Sequence, residues 1–298
     1  MALENTYKLK EGINVDKINW NMLSKNPNAI SLLKANPDKI NWKILSRNSN
    51  AIDFLKANPD KINWFWFSSN PNPDTIELLK ANLDKVDWYN LSENKNAIEL
   101  LKENPDKINW EGLSYNPNAI ELLKANREKI DWICLSSNSN AIELLKENPN
   151  KIDWICLSGN SNAINLLKVN QDKIDWGMLS KNPNAINLLK ANPNKINWYW
   201  LSYNPNGIDL LKDNLNKIDW EMLSLNPNAI ELLKNNPDKI DWSFLSSNPS
   251  IFEIIYNYDY EYLKSRMSIH FEEICIKVFH PKNEGKLWVF PSREYFYN

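Results

Sequence analysis

Three cysteines and two histidines are the residues of this chain with the clearest capacity for metal or nucleophile chemistry. Their spacing decides what that chemistry could be. His270 and His280 lie ten residues apart with Cys275 between them. A protein zinc site takes four ligands, usually supplied as closely spaced Cys or His pairs. No such second pair accompanies these three residues, so no metal and no cofactor is expected. Cys134 and Cys156 occupy the same place in neighbouring repeats. If repeats stack at about 8–10 Å, the two lie beyond the roughly 7 Å Cα limit for a disulfide. They read as reduced thiols, acting as small hydrophobes in an otherwise apolar row. Nothing matches a phosphate loop, a nucleophile elbow or a zinc-protease helix. The carboxylates are accounted for by helix caps and exposed helix faces, and the chain reads as non-enzymatic.

Lysine is the other candidate. Two ladders recur along the chain, one including Lys39, Lys61, Lys85 and Lys107, the other Lys34, Lys56, Lys80 and Lys102. Regular positive charge beside aromatics could follow a single-stranded nucleic-acid backbone. Against this, Asp38, Asp60, Asp84, Asp106 and Glu128 precede connector lysines and cancel much of the local field. The net charge is -2, from 35 Lys and Arg against 37 Asp and Glu. Only 4 of the basic residues are Arg, the side chain suited to bidentate phosphate and base recognition. Single-stranded nucleic-acid binding is therefore a second alternative only.

The elements that position these residues follow from an internal period. Tryptophans fall at Trp20, Trp42, Trp64, Trp88, Trp110, Trp132, Trp154, Trp176, Trp198, Trp220 and Trp242, spaced by 22 except for one step of 24. That step contains NPNPDTIELL where most units have NPNAIELL, which places a two-residue insertion in a loop. The unit reads W-x-x-L-S-x-N-P-N-A-I-x-L-L-K-x-N-P-D-K-I-[ND]. Asn or Asp precedes each phased Trp, as an N-cap does. A second cap-like set (Asn28, Asn50, Asp74, Asn96 and their equivalents) precedes the [AT]-I-x-L-L run. Asn96 with Glu99 and Asn118 with Glu121 have the spacing of a capping box.

Each unit thus carries two short helices, A after the Trp and B over A-I-x-L-L-K, joined by an N-P-D-K-I connector. Pro37 and its counterparts could begin a helix at its first position and merge the connector into helix A. Helices of about two turns are marginal alone in water, so stability must come from stacking. The phased Trp with the Leu three residues on, such as Trp42 with Leu45, and Ile30 with Leu33, name the core faces.

Positions that vary between units are those the stack does not dictate. The residue after the Trp and the residue after the Ser are four apart and lie side by side on helix A. This stripe holds the candidate partner-binding residues Lys25, Lys43, Arg47, Phe65, Tyr89, Tyr115, Tyr199 and Tyr203. Aromatic residues are enriched in interface hot spots.

The domain organisation expected is an N-terminal cap at 1–15, a helical repeat solenoid at 16–248 and a C-terminal capping segment at 249–298. The last would include an amphipathic helix ending at His280-Pro281. The N-terminus lacks a signal-peptide pattern and no stretch approaches about 18 apolar residues, so an intracellular, soluble protein with no membrane partner is expected.

The unit LSxNPNAIxLLKxNPDKIDW, with the tail YEYLKSRMSIHFEEICIKVFHP, resembles the repeat proteins encoded in many copies by giant viruses, the nucleocytoplasmic large DNA viruses. The match covers about 16–248 and 258–281. The preference for residues with A/T-rich codons agrees with it. The last 17 residues depart from the basic helical ending such tails have. The Asn-Pro punctuation is also similar to leucine-rich variant repeats, whose alternation of α and 3-10 helices implies that one helix per unit could be 3-10. The resemblance implies location in host-cell cytoplasm or virion, and no established activity.

Together these readings predict an all-α solenoid of about eleven 22-residue helix-turn-helix units, extended by roughly 100 Å at about 9–10 Å per layer. It would be a monomeric interaction scaffold or adaptor that engages an unknown host or viral protein through the helix A stripe. The alternative is a structural virion or assembly component.

Overall fold

Every repeat begins at an Asn or Asp whose backbone is extended and whose side-chain oxygen accepts the backbone N–H three residues on. Asn41 takes Ile44 N–H at 3.1 Å and Asp131 takes Cys134 N–H at 2.8 Å. All eleven such residues cap in this way, satisfying an N–H that the first helical turn leaves open. The structure, a computed structural model, describes residues 6–255. Within it are eleven A helices, from Trp20–Leu23 to Trp242–Ser247, and ten B helices, from Ile30–Lys34 to Ile230–Lys234. The fold is an all-α solenoid of 22-residue units, here numbered 1 to 11 by their phased Trp.

Helix B ends because the Asn after it turns back on it. Asn36 donates its side-chain amide to Leu32 O at 2.9 Å, and Asn148 does the same to Leu144 O at 2.8 Å. The connector that follows is a separate 3-10 turn, such as Pro37–Lys39 or Pro149–Lys151. Proline at its first position loses no hydrogen bond there. The connector therefore does not merge with helix A, and the 3-10 element lies between two α-helices rather than replacing one.

One expected set of caps is corrected. Asn28 and its equivalents do not cap helix B, whose preceding residue is Ala29, with no side-chain cap bond. Instead Asn28-type side chains reach sideways: Asn50 donates to Pro27 O at 3.0 Å and Asn140 to Pro117 O at 2.9 Å. The Glu of the expected capping box pairs with Lys, as in Glu99 with Lys102 at 2.8 Å.

Between the A and B layers lies a continuous core of Leu23, Ala29, Leu33 and their equivalents, fully buried through the array. Each such Leu contributes about 1.5–3 kcal/mol on burial. Beside it runs a polar ladder. Asn48 is buried, donates both amide hydrogens to Ser24 O (3.1 Å) and Asn26 O (2.9 Å) of the preceding unit, and accepts Asn50 N–H at 3.0 Å. Ser24 donates to Trp20 O at 2.9 Å and accepts Asn41 N–H, the next unit's cap residue, at 3.0 Å. A buried amide fully satisfied in this way specifies the register of one unit on the next. The two-residue insertion before Thr75 leaves the ladder intact, since Asn94 still donates to Ser68 O and Asn70 O.

The ladder does not stop at the last unit. Asn26 of unit 1 donates to Ser246 O (3.1 Å) and Asn248 O (2.9 Å), Asn28 to Pro249 O (3.0 Å), and Asn19 N–H to Ser246 Oγ (2.8 Å). The helix Trp20–Leu23 packs on Trp242–Ser247 as A helices pack on their neighbours from unit 3 onward. Residues 7–254 are one compact unit, and the array within it is a closed ring. The open array of roughly 100 Å is thereby corrected. Each unit turns by one-eleventh of a circle, and the first and last complete one another.

Unit 11 is assembled from both ends of this region. Its A helix is Trp242–Ser247. The place of helix B is taken by β2 (Phe252–Ile255), paired with β1 (Thr6–Leu9). Lys10 N–H bonds Ile251 O at 2.8 Å while Lys8 meets Glu253 at 3.1 Å, an antiparallel register. The connector is then supplied from the N-terminal side by Val15–Lys17 and Ile18, which lead into unit 1. The described residues of the two expected caps, 6–15 and 249–255, therefore seal the ring to itself. The amphipathic helix expected to end at His280-Pro281, and His270, Cys275 and His280 with it, lie outside the described residues.

Candidate functional site

Which face of the ring is inner follows from the spacing of its two layers. From unit 3 onward, and again from unit 11 to unit 1, consecutive A helices pack directly against one another, whereas successive B helices approach far less closely. Layers of equal count at different spacing lie at different radii, and the closer layer is inside. Independently, a cavity of about 470 Å³ is lined by residues of four consecutive units (Ser137, Gly159, Lys181 and Tyr203 among them), which only a concave surface allows.

On helix A the Leu and Ser of each W-x-x-L-S face the core, so the residues after the Trp and after the Ser point away from layer B, toward the bore. With A helices about 9–10 Å apart, eleven of them enclose a circle about 32 Å across between axes, leaving an opening of about 20 Å once helix width is subtracted.

The sequence-predicted stripe residues all fall on this inner face. Lys25 of unit 1 and Lys43 and Arg47 of unit 2 form a basic sector, with the Arg47 guanidinium 5.2 Å from the Trp66 ring. Phe65 is 49% exposed and meets Trp66 edge-on at 5.0 Å. Tyr89 and Tyr115 share the next sector with Glu93 and Glu111. Tyr199 (41% exposed) and Tyr203 lie four residues apart on one helix. Charge is thus segregated around the bore, basic in units 1 and 2 and acidic in units 4 and 5. Two residues of the stripe not singled out above, Ile133 and Ile155, are each 58% exposed. As aliphatics standing in the bore, they extend the candidate surface.

The phased tryptophans are half-buried against the core, and their outer faces meet the connector lysines. Lys39 Nζ sits 4.4 Å from the Trp20 centroid, Lys151 4.7 Å from Trp132 and Lys195 4.5 Å from Trp176. Lys17 over Trp242, at 5.3 Å, repeats the arrangement across the seam. This cation–π stacking accounts for most of one lysine ladder, while Lys61, Lys107 and Lys239 lie beside Asp60, Asp106 and Asp238 instead. In the other ladder, six lysines pair within or between B helices, as Lys124 with Glu121 (2.8 Å) and Lys80 with Glu103 (3.0 Å).

Cys134 and Cys156 are free, as expected. Burial, followed by the neighbouring Asp131, pushes the Cys134 thiol up to about 12, and burial raises Cys156 as well. Neither is a thiolate at neutral pH, and neither is placed as a nucleophile. Burial and then Glu93 and Glu111 raise Tyr89 to about 12, and burial beside Cys134 raises Tyr115 to about 12. Among the described residues no cluster of His, Cys, Asp and Glu could hold a metal, and no helix is long and apolar enough to cross a membrane.

The polar ladder is what sequence reasoning passed over. Its signal was present: Ser24, Asn26 and their equivalents hardly vary between units, although both are polar. No family model matches the chain, and neither a curated protein nor a solved structure does.

Proposed function

We propose that the ring is a non-enzymatic interaction scaffold that holds a polypeptide partner against its inner face. The observation that carries this reading is the location of the variable stripe. Residues free to differ between units are those that line the bore, and five of them are aromatic. A constant ladder and core behind a varied concave surface is how repeat arrays build binding sites. An opening of about 20 Å admits a single α-helix, about 10–12 Å wide with its side chains, or an extended segment. We place the protein in an infected host cell on the strength of the repeat motif's resemblance to giant-virus proteins.

The engagement of connector lysines with tryptophan, or for Lys61, Lys107 and Lys239 with the preceding Asp, disfavours the single-stranded nucleic-acid reading, because those ammonium groups already have partners. A virion or assembly component remains the alternative, and the same experiment separates them. Tagged protein is recovered from infected cells with and without nuclease, alongside Tyr199→Ala/Tyr203→Ala and Lys25→Glu/Arg47→Glu variants of unchanged circular dichroism. The proposal expects a small set of nuclease-resistant partners, depleted by at least one variant. Recovery identical in both variants overturns the inner face as the site, and recovery of capsid proteins or only further copies of this chain supports the assembly role.

A further inference from the structure

In most units the residue after the Ser is large or charged; it is small in units 3 and 11 (Ser69, Ser247) and in two consecutive units, 6 and 7, as Ser137 and Gly159. The Asn-Pro turn changes in the same two units: proline is replaced by Ser139 and Ser161. These substitutions coincide at one place, the cavity of about 470 Å³ that runs on to Lys181 and Tyr203. Gly159 lines it without a side chain, and a Cβ there would lie 3.2 Å from Met178 Cε.

The hydrogen-bonding character of the cavity is one-sided. Replacing proline by serine restores a backbone N–H. Neither the N–H nor the hydroxyl of Ser139 and Ser161 has a hydrogen-bond partner among the described residues; their carbonyls are used by Asn162 and Asn184 at 2.9 Å each. Lys181 is half-buried, held 5.2 Å from the Trp200 ring and 5.7 Å from Tyr203, and has no carboxylate within ion-pair distance among the described residues. No Asp or Glu lines the cavity. The hollow thus offers one cation, two N–H groups, the hydroxyls of Ser137, Ser139 and Ser161 and the Tyr203 phenol, all able to donate, beside the apolar Cys156 and Met178.

We infer that this hollow is a pocket for a carboxylate side chain, an Asp or Glu carried by the polypeptide that the inner face holds. A single ammonium with neutral donors matches a monoanion, whereas a phosphate would leave charge uncompensated. This rests on the polypeptide-binding reading, and its test needs no knowledge of the partner. The turns of units 2 and 4 supply internal controls: Ser49 and Lys95 also stand where most units have proline, and their N–H groups likewise have no partner among the described residues, yet neither residue lines the cavity.

The experiment is amide NMR on the full chain, titrated with N-acetyl-aspartate N-methylamide, with its asparagine counterpart and with inorganic phosphate. The pocket requires saturable shifts of the Ser139 and Ser161 amides with the aspartyl probe, about tenfold weaker binding for the asparagine probe and for Lys181→Met, and loss in Gly159→Leu. Equal shifts at Ser49 and Lys95, no saturation, or indifference to Lys181→Met with the spectrum otherwise native would overturn it. Tighter binding of phosphate than of the aspartyl probe would overturn the carboxylate assignment. Failure here with partner recovery intact leaves the scaffold standing, and the reverse outcome separates them equally well.

Discussion

The backbone N–H of Asn19 donates to the hydroxyl of Ser246 at 2.8 Å, across 227 residues of sequence. Asn41 makes the same bond to Ser24 across 17 residues. In the A layer the joint that closes the array is made as a joint inside it is, while in the B layer a pair of strands replaces the helix.

If the seam is energetically a joint like any other, its ladder asparagine matters as much as one in the middle. Asn138→Ala leaves the Ser114 carbonyl unpaired and Asn26→Ala the Ser246 carbonyl, while Asn116 O and Asn248 O each keep a backbone donor, and each substitution is expected to cost about 1–3 kcal/mol. Denaturant titration of the two variants checks this. A negligible cost for Asn26→Ala beside a normal cost for Asn138→Ala would mean that the array is open in solution.

The A helices approach most tightly where a glycine permits it. A Cβ at Gly112 would lie 2.8 Å from the carbonyl oxygen of Tyr89 and 3.3 Å from Ser92 Cβ, whereas one at Gly159 meets only the flexible end of Met178. Gly112→Ala is expected to destabilise by about 1–3 kcal/mol and Gly159→Ala by no more than about 0.5 kcal/mol. Thermal melts of both variants decide it.

Alkaline pH should loosen the ring. Cys134, Tyr89 and Tyr115 are raised to about 12 from reference values of 9.0, 10.0 and 10.0. Each is held in its neutral form when folded, so the unfolded chain loses these protons first. The associated stability is complete below pH 9 and is progressively lost between about 9 and 12. Chemical denaturation across that range checks the direction, with Cys134→Val flattening the early part of the decline. In a Cys275→Ser background, iodoacetamide should label Cys156, which is partly exposed, faster than buried Cys134.

Stacking of lysine on tryptophan should register as stability rather than binding. Lys151→Gln is expected to cost about 0.5–1 kcal/mol and to leave oligonucleotide affinity unchanged at every salt concentration. A fall in both affinity and salt slope on that substitution would reinstate the phosphate-tracking role.

The spacing of tryptophans made the unit, its two helices and the Leu rows legible, because apolar period and cap chemistry are local properties. The stripe was legible for the same reason: Tyr199 and Tyr203 must share a face of any helix that contains both. Closure was not. It depends on how much each unit turns, an angle set by differences in packing between layers A and B that no single residue announces. The termini misled in an instructive way. Asn14 to Trp20 reads NVDKINW, a connector in all but its proline, and the strand residues Phe252 to Ile255 stand where other units carry I-x-L-L. Nothing local in either fragment says that they complete the same unit. The asparagines before helix B misled differently. Asn28 and its equivalents looked like cap residues because their type suits caps, but their amides are spent between units, a use visible only once neighbours are in place.

Open repeat arrays fray, since their outermost layers are held from one side only. With Asn26 bound to Ser246 and Asn248 as Asn48 is bound to Ser24 and Asn26, this ring has no outermost layer. Amide exchange should therefore show no gradient of protection along the chain. Opening one unit would require breaking two interfaces at once, so any partner too bulky to thread the bore must enter where the backbone joint is slightest, between two strands of four residues each.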